Sequence, residues 1–279
     1  MKYVIIGKHE AKGVVGDDDD GNFNLYYELG WELVISNIIA KKMLHDGMLS
    51  PTDIIVTKDE REFIYSNFFD NVIDWNTFKN VKTENDEIYY LPRTLGENVK
   101  YGFGVSNPEN LSSDITCNFD LISDIEEKYD ISSSFGIYCI RLRDWCDWRN
   151  SDINVAKKVI SKFNNELGIK MFVVGQNSED LAKELNVNYI NLREYASLMN
   201  SKYCKFCISP LSGIVHLTNF CGHENLYNLI FDRKGERGVE DHPCYMGNNI
   251  NYKKVKNIFI REIETENRIF ELYNTYIKD

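Results

Sequence analysis

The residues with the most to say about chemistry lie in one run, Cys207-Ile208-Ser209-Pro210-Leu211-Ser212-Gly213-Ile214-Val215-His216. An apolar strand-like run ends there, small residues make a turn, and an apolar helix pattern starts at Gly213 and closes at Gly222. Such a turn, at the C-terminal end of a strand, aims the first amides and the positive dipole end of the helix at whatever lies above it. Ser212 and Gly213 are small enough to let an anion approach closely, which suits a phosphate or diphosphate. A plain helix cap by Ser212 explains the same residues without a ligand.

A second stretch, Tyr138-Cys139-Ile140-Arg141-Leu142-Arg143-Asp144-Trp145-Cys146-Asp147-Trp148-Arg149-Asn150, supplies positive charge. If the strand runs through residue 142, Arg141 and Arg143 at i, i+2 point to one side, and Arg149 follows in the loop. Guanidinium forks bind phosphate in bidentate fashion, so the three arginines form a candidate diphosphate clamp. Ion pairing with Asp144, Asp147 or Asp152 is the alternative. Glu32, in Leu29-Gly30-Trp31-Glu32-Leu33, falls near a helix start, where the dipole favours a carboxylate. The run Asp17–Asp20 reads as a solvated loop rather than a metal site, because adjacent carboxylates repel. Cys204-x-x-Cys207 has no second pair at zinc spacing, and i, i+3 on a strand face opposite ways, so neither a metal nor a redox role is expected.

These residues need a framework, and composition bounds it. A chain of 279 residues with 43 % hydrophobic and 27 % charged residues is globular and long enough for two domains. No apolar run approaches the ~18–20 residues of a membrane helix, and Met1–Gly7 reads as a first strand rather than a leader. The net charge of −11 repels phosphate backbones, so no nucleic-acid partner is expected. The seven scattered cysteines read as reduced thiols in a cytoplasmic chain.

The elements alternate. The first half reads as a strand at 3–7, a helix from about 27 to 45, a strand at 53–57, a helix at 60–69 and strands at 71–75 and 87–91. A helix follows at 121–129. The small polar run Ser132-Ser133-Ser134 suits a linker. The second half reads as strands at 135–142, 170–175, 188–192, 203–209 and 225–232. Helices are expected at 152–167, 178–185 with Ser178 as cap, 193–200 and 213–221. That rhythm predicts a doubly wound α/β domain of about five strands, with a closing helix at 264–276.

The segment 207–222 resembles the donor-binding motif of GT-B glycosyltransferases, especially the heptosyltransferase-like group. Ser212, Gly213 and His216 match its S-G-x-x-H core, while Thr218-Asn219 stands where a small-residue pair is usual. The strand end at Arg141 is similar to that of fucosyltransferase-type GT-B enzymes. The resemblance implies an α/β fold of two Rossmann-like doubly wound domains facing across a cleft. An acceptor-side domain would span 1–130, a nucleotide-sugar domain 131–262, and a helix at 263–279 would cross back to the first. It implies a metal-independent glycosyltransferase that moves a sugar from a GDP- or UDP-linked donor to a hydroxyl acceptor such as a glycan. A nucleotide-sugar epimerase or a non-catalytic sugar-binding protein of the same fold are the alternatives. By resemblance Ser209, Ser212, Gly213, Arg141, Arg143 and Arg149 hold the diphosphate, and His216 faces the phosphate or the sugar. Gly175 and Gln176 contact the nucleotide, with Arg193-Glu194-Tyr195 near base and ribose. Glu32 or Asp19, lining the acceptor side, takes the acceptor proton. His216 as a core histidine and Glu32 as a dipole-matched helix residue remain alternatives.

Overall fold

A computed structural model of the chain describes residues 1–6, 29, 32–91, 115, 117–142, 150–175, 178–232 and 255–278. The chain forms two units that divide between Asp120 and Leu121, earlier than the expected 130. The segment after Leu121 docks on the second unit: the Ile122 amide donates to Ser197 Oγ (2.9 Å) and Ser201 Oγ donates to Glu126 Oε1 (2.6 Å).

In the first unit four parallel strands are described: β1 (Lys2–Ile5), β2 (Ile54–Thr57), β3 (Asn71–Asp74) and β4 (Glu87–Tyr90), in the order β3-β2-β1-β4. Tyr3, Val4, Ile5, Ile55 and Val56 are all buried, as strands covered on both faces require. A π-helical turn, Glu32–Ser36, leads into α1 (Asn37–His45), which buries Ile38, Ile39, Ala40 and Met43. Trp75, expected to end a strand, instead opens α2 (Trp75–Val81). The Asp74 carboxylate caps that helix by accepting from the Thr77 amide (2.9 Å).

The helix expected over 60–69 is absent among the described residues; one 3-10 turn, Glu62–Ile64, and further turns take its place. Phe63, Ile64 and Tyr65 are all buried in succession, which a helix with one apolar face cannot achieve. Lys41 pins the turns. Its ammonium lies over the Phe68 and Phe119 rings, 4.5 and 4.6 Å from their centroids, and donates to the Asn118 carbonyl (3.0 Å).

The second unit opens with a short helix, α3 (Ile125–Lys128), and six parallel strands follow. They are β5 (Phe135–Cys139), β6 (Lys170–Val174), β7 (Asn188–Ile190), β8 (Cys204–Pro210), β9 (Tyr227–Phe231) and β10 (Lys256–Ile260). Their order is β10-β9-β8-β5-β6-β7. The chain therefore starts in the middle, winds out to one edge, returns, and winds out to the other. The reversal falls between β5 and β8. The strand β10, not expected, raises the count from about five to six among the described residues.

Strand period 2 sorts the side chains. Tyr138, Val173, Phe206, Ile208, Leu229 and Ile260 join one apolar core with α4 (Ile153–Ser161) and Phe163 of the turn that follows it. Gly136 leaves room for the Phe206 ring, which lies 2.3 Å from where a Cβ would stand. The final helix α8 (Glu266–Tyr276) packs on this core. Phe270 and Tyr273 lie 4.8 and 4.9 Å from the Phe163 ring. Three more helices are described in this unit: α5 (Glu179–Glu184), α6 (Leu192–Asn200) and α7 (Gly213–Cys221). Ser178 does not cap α5; its hydroxyl donates back to the Gly175 carbonyl (2.7 Å).

Candidate functional site

In an open parallel sheet the strand ends diverge where the winding reverses, and the crevice they leave is where ligands bind. Here the reversal sets the end of β5 beside the β8–α7 turn, so topology brings together Arg141 and Ser212-Gly213. β5 stops at Cys139, short of the expected residue 142, so Arg141 stands beyond the strand, and strand alternation no longer relates it to Arg143. Its backbone is clamped instead: the Arg141 amide donates to Ser151 Oγ (3.0 Å) and the Ser151 amide to the Arg141 carbonyl (2.8 Å). The buried guanidinium reaches across to the Leu211 carbonyl, 3.4 Å from Nη1. Arg143 and Arg149 lie outside the described residues.

The turn itself is firmly held. The Leu211 amide donates to the Phe231 carbonyl (2.9 Å), and Ser212 is extended, with φ −157°. Ser212 and Gly213 stay half-buried, and the Ser212 hydroxyl caps nothing among the described residues, unlike the plain N-cap alternative. α7 carries no acidic residue in its first turn, so its dipole faces the crevice without a competing carboxylate of its own. From Ile214 to Cys221 every residue of α7 is buried, His216 at 5 % exposure among them.

Ser209, expected on the donor surface, is buried in the packing below the turn. Its hydroxyl donates to Asn228 Oδ1 (3.2 Å). Gly175 is needed by the backbone. At φ +137° a Cβ would stand 1.8 Å from the Ile140 carbonyl oxygen, so only glycine allows the ends of β6 and β5 to lie this close. Gln176 is outside the described residues. Glu194 serves α6, whose amide ends it satisfies in a capping box with Asn191, and it pairs with Lys128 (2.5 Å). Tyr195 is buried, with its hydroxyl between Thr218 Oγ1 (2.5 Å) and Cys207 Sγ (3.2 Å).

In the first unit Glu32 is 1 % exposed. Its Oε1 accepts from Thr57 Oγ1 (2.5 Å) and the Tyr65 hydroxyl (3.2 Å), and its Oε2 accepts from Arg61 Nη1 (2.5 Å). Burial, then the adjacent carboxylate, pushes the Tyr65 hydroxyl pKa far up, so it stays a donor. Three donors, Thr57, Arg61 and Tyr65, thus converge on the buried Glu32 carboxylate beside the end of β2. Asp19 and its neighbours lie outside the described residues. Among the described residues no group of three His, Cys, Asp or Glu is placed to hold a metal, and no helix is long and apolar enough to cross a membrane. Cys207 Sγ lies 3.4 Å from Cys139 Sγ, and Cys204 is separately buried.

The residues that sequence reasoning missed are the partners. Thr57, Arg61 and Tyr65 are far from Glu32 in the chain, and no local period signals them. Asn228 and Asn257 carried a faint sign: each is the second residue of an apolar strand, and the strands pair them directly.

Two Rossmann-like α/β units in this order are the GT-B fold, and solved structures agree. No protein-family model matches the chain, nor does any curated protein. The crystal structure of the glycosyl transferase family 9 from Veillonella parvula DSM 2008 is similar over 99 % of this chain and 96 % of its own, with a TM-score of 0.53 and 11 % identity. E. coli ADP-heptose lps heptosyltransferase II is similar over 99 % and 98 %, with a TM-score of 0.56 and 11 % identity. E. coli heptosyltransferase WaaC with ADP-2-deoxy-2-fluoro heptose covers 98 % of this chain and 99 % of its own, with a TM-score of 0.50 and 11 % identity. At that identity the likeness is one of fold.

Proposed function

We propose that the chain is a glycosyltransferase that moves a sugar from a nucleotide-diphosphate donor to a hydroxyl acceptor. The observation that carries the reading is the bond of the Arg141 guanidinium to the Leu211 carbonyl, next to Ser212-Gly213, where the second sheet reverses. A cation and the positive end of a helix converge there on one crevice, and a diphosphate is the ligand that uses both. The GT-B fold, shared with structures whose names include heptosyltransferases, supports the choice of a sugar nucleotide over other diphosphates.

In this reading the donor diphosphate lies against Ser212 and Gly213 with Arg141 beside it, and the buried His216 backs the same turn. The bond between the anomeric carbon and the β-phosphate oxygen breaks, and its electron pair leaves with the diphosphate. A new bond forms from that carbon to the acceptor oxygen. The charge developing on the leaving group is stabilised by the α7 amides and the guanidinium, with no metal ion needed. The acceptor proton passes to a base, for which Glu32, hydrogen-bonded by Thr57, Arg61 and Tyr65, and Asp19 are the candidates.

The test is incubation with ADP-, UDP- and GDP-linked sugars, the ADP series being added because two similar structures name ADP-heptose or an analogue of it. The expected result is a raised melting temperature with one nucleotide series and release of its nucleoside diphosphate. An isomerised nucleotide sugar without diphosphate release identifies an epimerase. No stabilisation by any nucleotide overturns the reading.

A further inference from the structure

The sheet face beneath α7 carries a row of polar side chains, Ser209, Asn228 and Asn257, where a parallel sheet is ordinarily apolar throughout. Four side chains there form a one-way chain of hydrogen bonds. Ser209 Oγ donates to Asn228 Oδ1 (3.2 Å), Asn228 Nδ2 to Asn257 Oδ1 (3.1 Å), Asn257 Nδ2 to Asn219 Oδ1 (2.7 Å), and Asn219 Nδ2 to the Val215 carbonyl (3.0 Å). The chain crosses β8, β9 and β10 and ends on the first turn of α7. A second chain arrives beside it. Tyr195, held near Cys207, meets Thr218 Oγ1 (2.5 Å), and Thr218 bonds the Ile214 carbonyl (3.0 Å). Two successive residues, Thr218 and Asn219, thus grip two successive carbonyls of the turn that follows Ser212-Gly213.

Burying this many polar groups is unfavourable unless each is paired, and an apolar face packs a helix without them. Apolar packing, however, is non-directional and leaves a helix some freedom to slide and rotate. Hydrogen bonds fix direction, and an anion seat made of amides works only when those amides are aimed closely.

We propose that Asn219, Asn257 and Thr218 are positioning residues that aim the first turn of α7 at the donor diphosphate. The inference rests on the diphosphate reading of the Ser212-Gly213 turn. None of the three touches the ligand; they act through the helix they hold.

The experiment measures affinity, at a temperature where the proteins are folded, for inorganic pyrophosphate and for ADP, UDP, GDP and their nucleosides. The wild-type chain is compared with Asn257→Ala, at a half-buried edge-strand position. The expected result is about a tenfold loss of pyrophosphate and nucleoside-diphosphate affinity, equivalent to ~1.4 kcal/mol, with nucleoside affinity unchanged. A lower melting temperature with diphosphate affinity kept within twofold overturns the proposal, because the asparagines are then only structural. Equal losses for diphosphate and nucleoside overturn it too. If Asn257→Ala does not fold, Thr218→Val cuts the second chain with little change of volume, and the same outcomes decide. A wild-type chain that binds neither pyrophosphate nor any nucleoside diphosphate removes the seat itself, a failure distinct from a variant that binds as well as wild type.

Discussion

Replacing Glu32 by glutamine separates two parts that a carboxylate in this place can play. The substitution keeps size and shape but trades one oxygen for an NH2 group. If that group faces Arg61, donor meets donor where an ion pair stood at 2.5 Å. If the amide turns over, its oxygen still accepts from Arg61 and its NH2 group donates to the Thr57 and Tyr65 hydroxyl oxygens, whose own protons must then turn elsewhere. No orientation restores the negative charge opposite the Arg61 guanidinium. Glu32 and Arg61 are 1 % and 7 % exposed, so water does not repair the loss. Breaking a buried pair by removing one partner costs ~3–5 kcal/mol, and the lower end applies here because glutamine loses the charge but can still hydrogen-bond the same partners. A loss of ~3 kcal/mol lowers the melting temperature of a chain this size by roughly 6–12 °C. Circular dichroism against temperature reads it directly. A melting temperature within 2 °C of wild type refutes the network. Loss of sugar transfer with that temperature retained assigns Glu32 the role of base.

Gly175→Ala, whose Cβ would stand 1.8 Å from the Ile140 oxygen, should lower stability by ~1–3 kcal/mol in chemical denaturation. Cys139 and Cys204, whose thiol pKa values burial pushes far up, should resist iodoacetamide at pH 8 in the folded chain and react on unfolding, as read by peptide mass mapping. Asp86 is lowered from 3.8 to about 2 by hydrogen bonds first from the N-terminal amine and then from Thr83. A lowered carboxyl stabilises the fold above its unfolded pKa, and that contribution fades as pH falls through the folded one. Asp86→Asn should therefore flatten the acid limb of the stability curve between about pH 4 and 2, and an unchanged limb contradicts the contact.

Much of the second unit was legible because its pattern is simple. Residues 213–221 read as a helix between a strand and Gly222, and α7 spans those residues. Buried strands such as β6 and β8 announce themselves as apolar runs. β10 did not, since it begins Lys256-Asn257 and only Ile260 of its residues is fully buried. α2 was hidden for a like reason: Phe78 is its one buried side chain, and the helix depends on the Asp74 cap. The run 60–69 misled in the other direction. Its apolar residues suit a helix by spacing, yet Phe63, Ile64 and Tyr65 are buried together, and Lys41 and Phe119, distant in sequence, shape the turns. At the site, the β8–α7 turn was readable because one continuous segment makes it. The bond from Arg141 to Leu211, the partners of Glu32 and the asparagine chain each join segments far apart in sequence, and no spacing rule encodes such meetings.

The central claim is that Arg141 and the Ser212-Gly213 turn together seat a diphosphate. Calorimetric titration of wild type and Arg141→Ala with ADP, UDP and GDP tests it most directly. The account predicts binding of at least one by the wild type and a loss of ~1.5–3 kcal/mol in the variant, roughly tenfold to a hundredfold. Equal affinity in both proteins, or no binding by either, would contradict it.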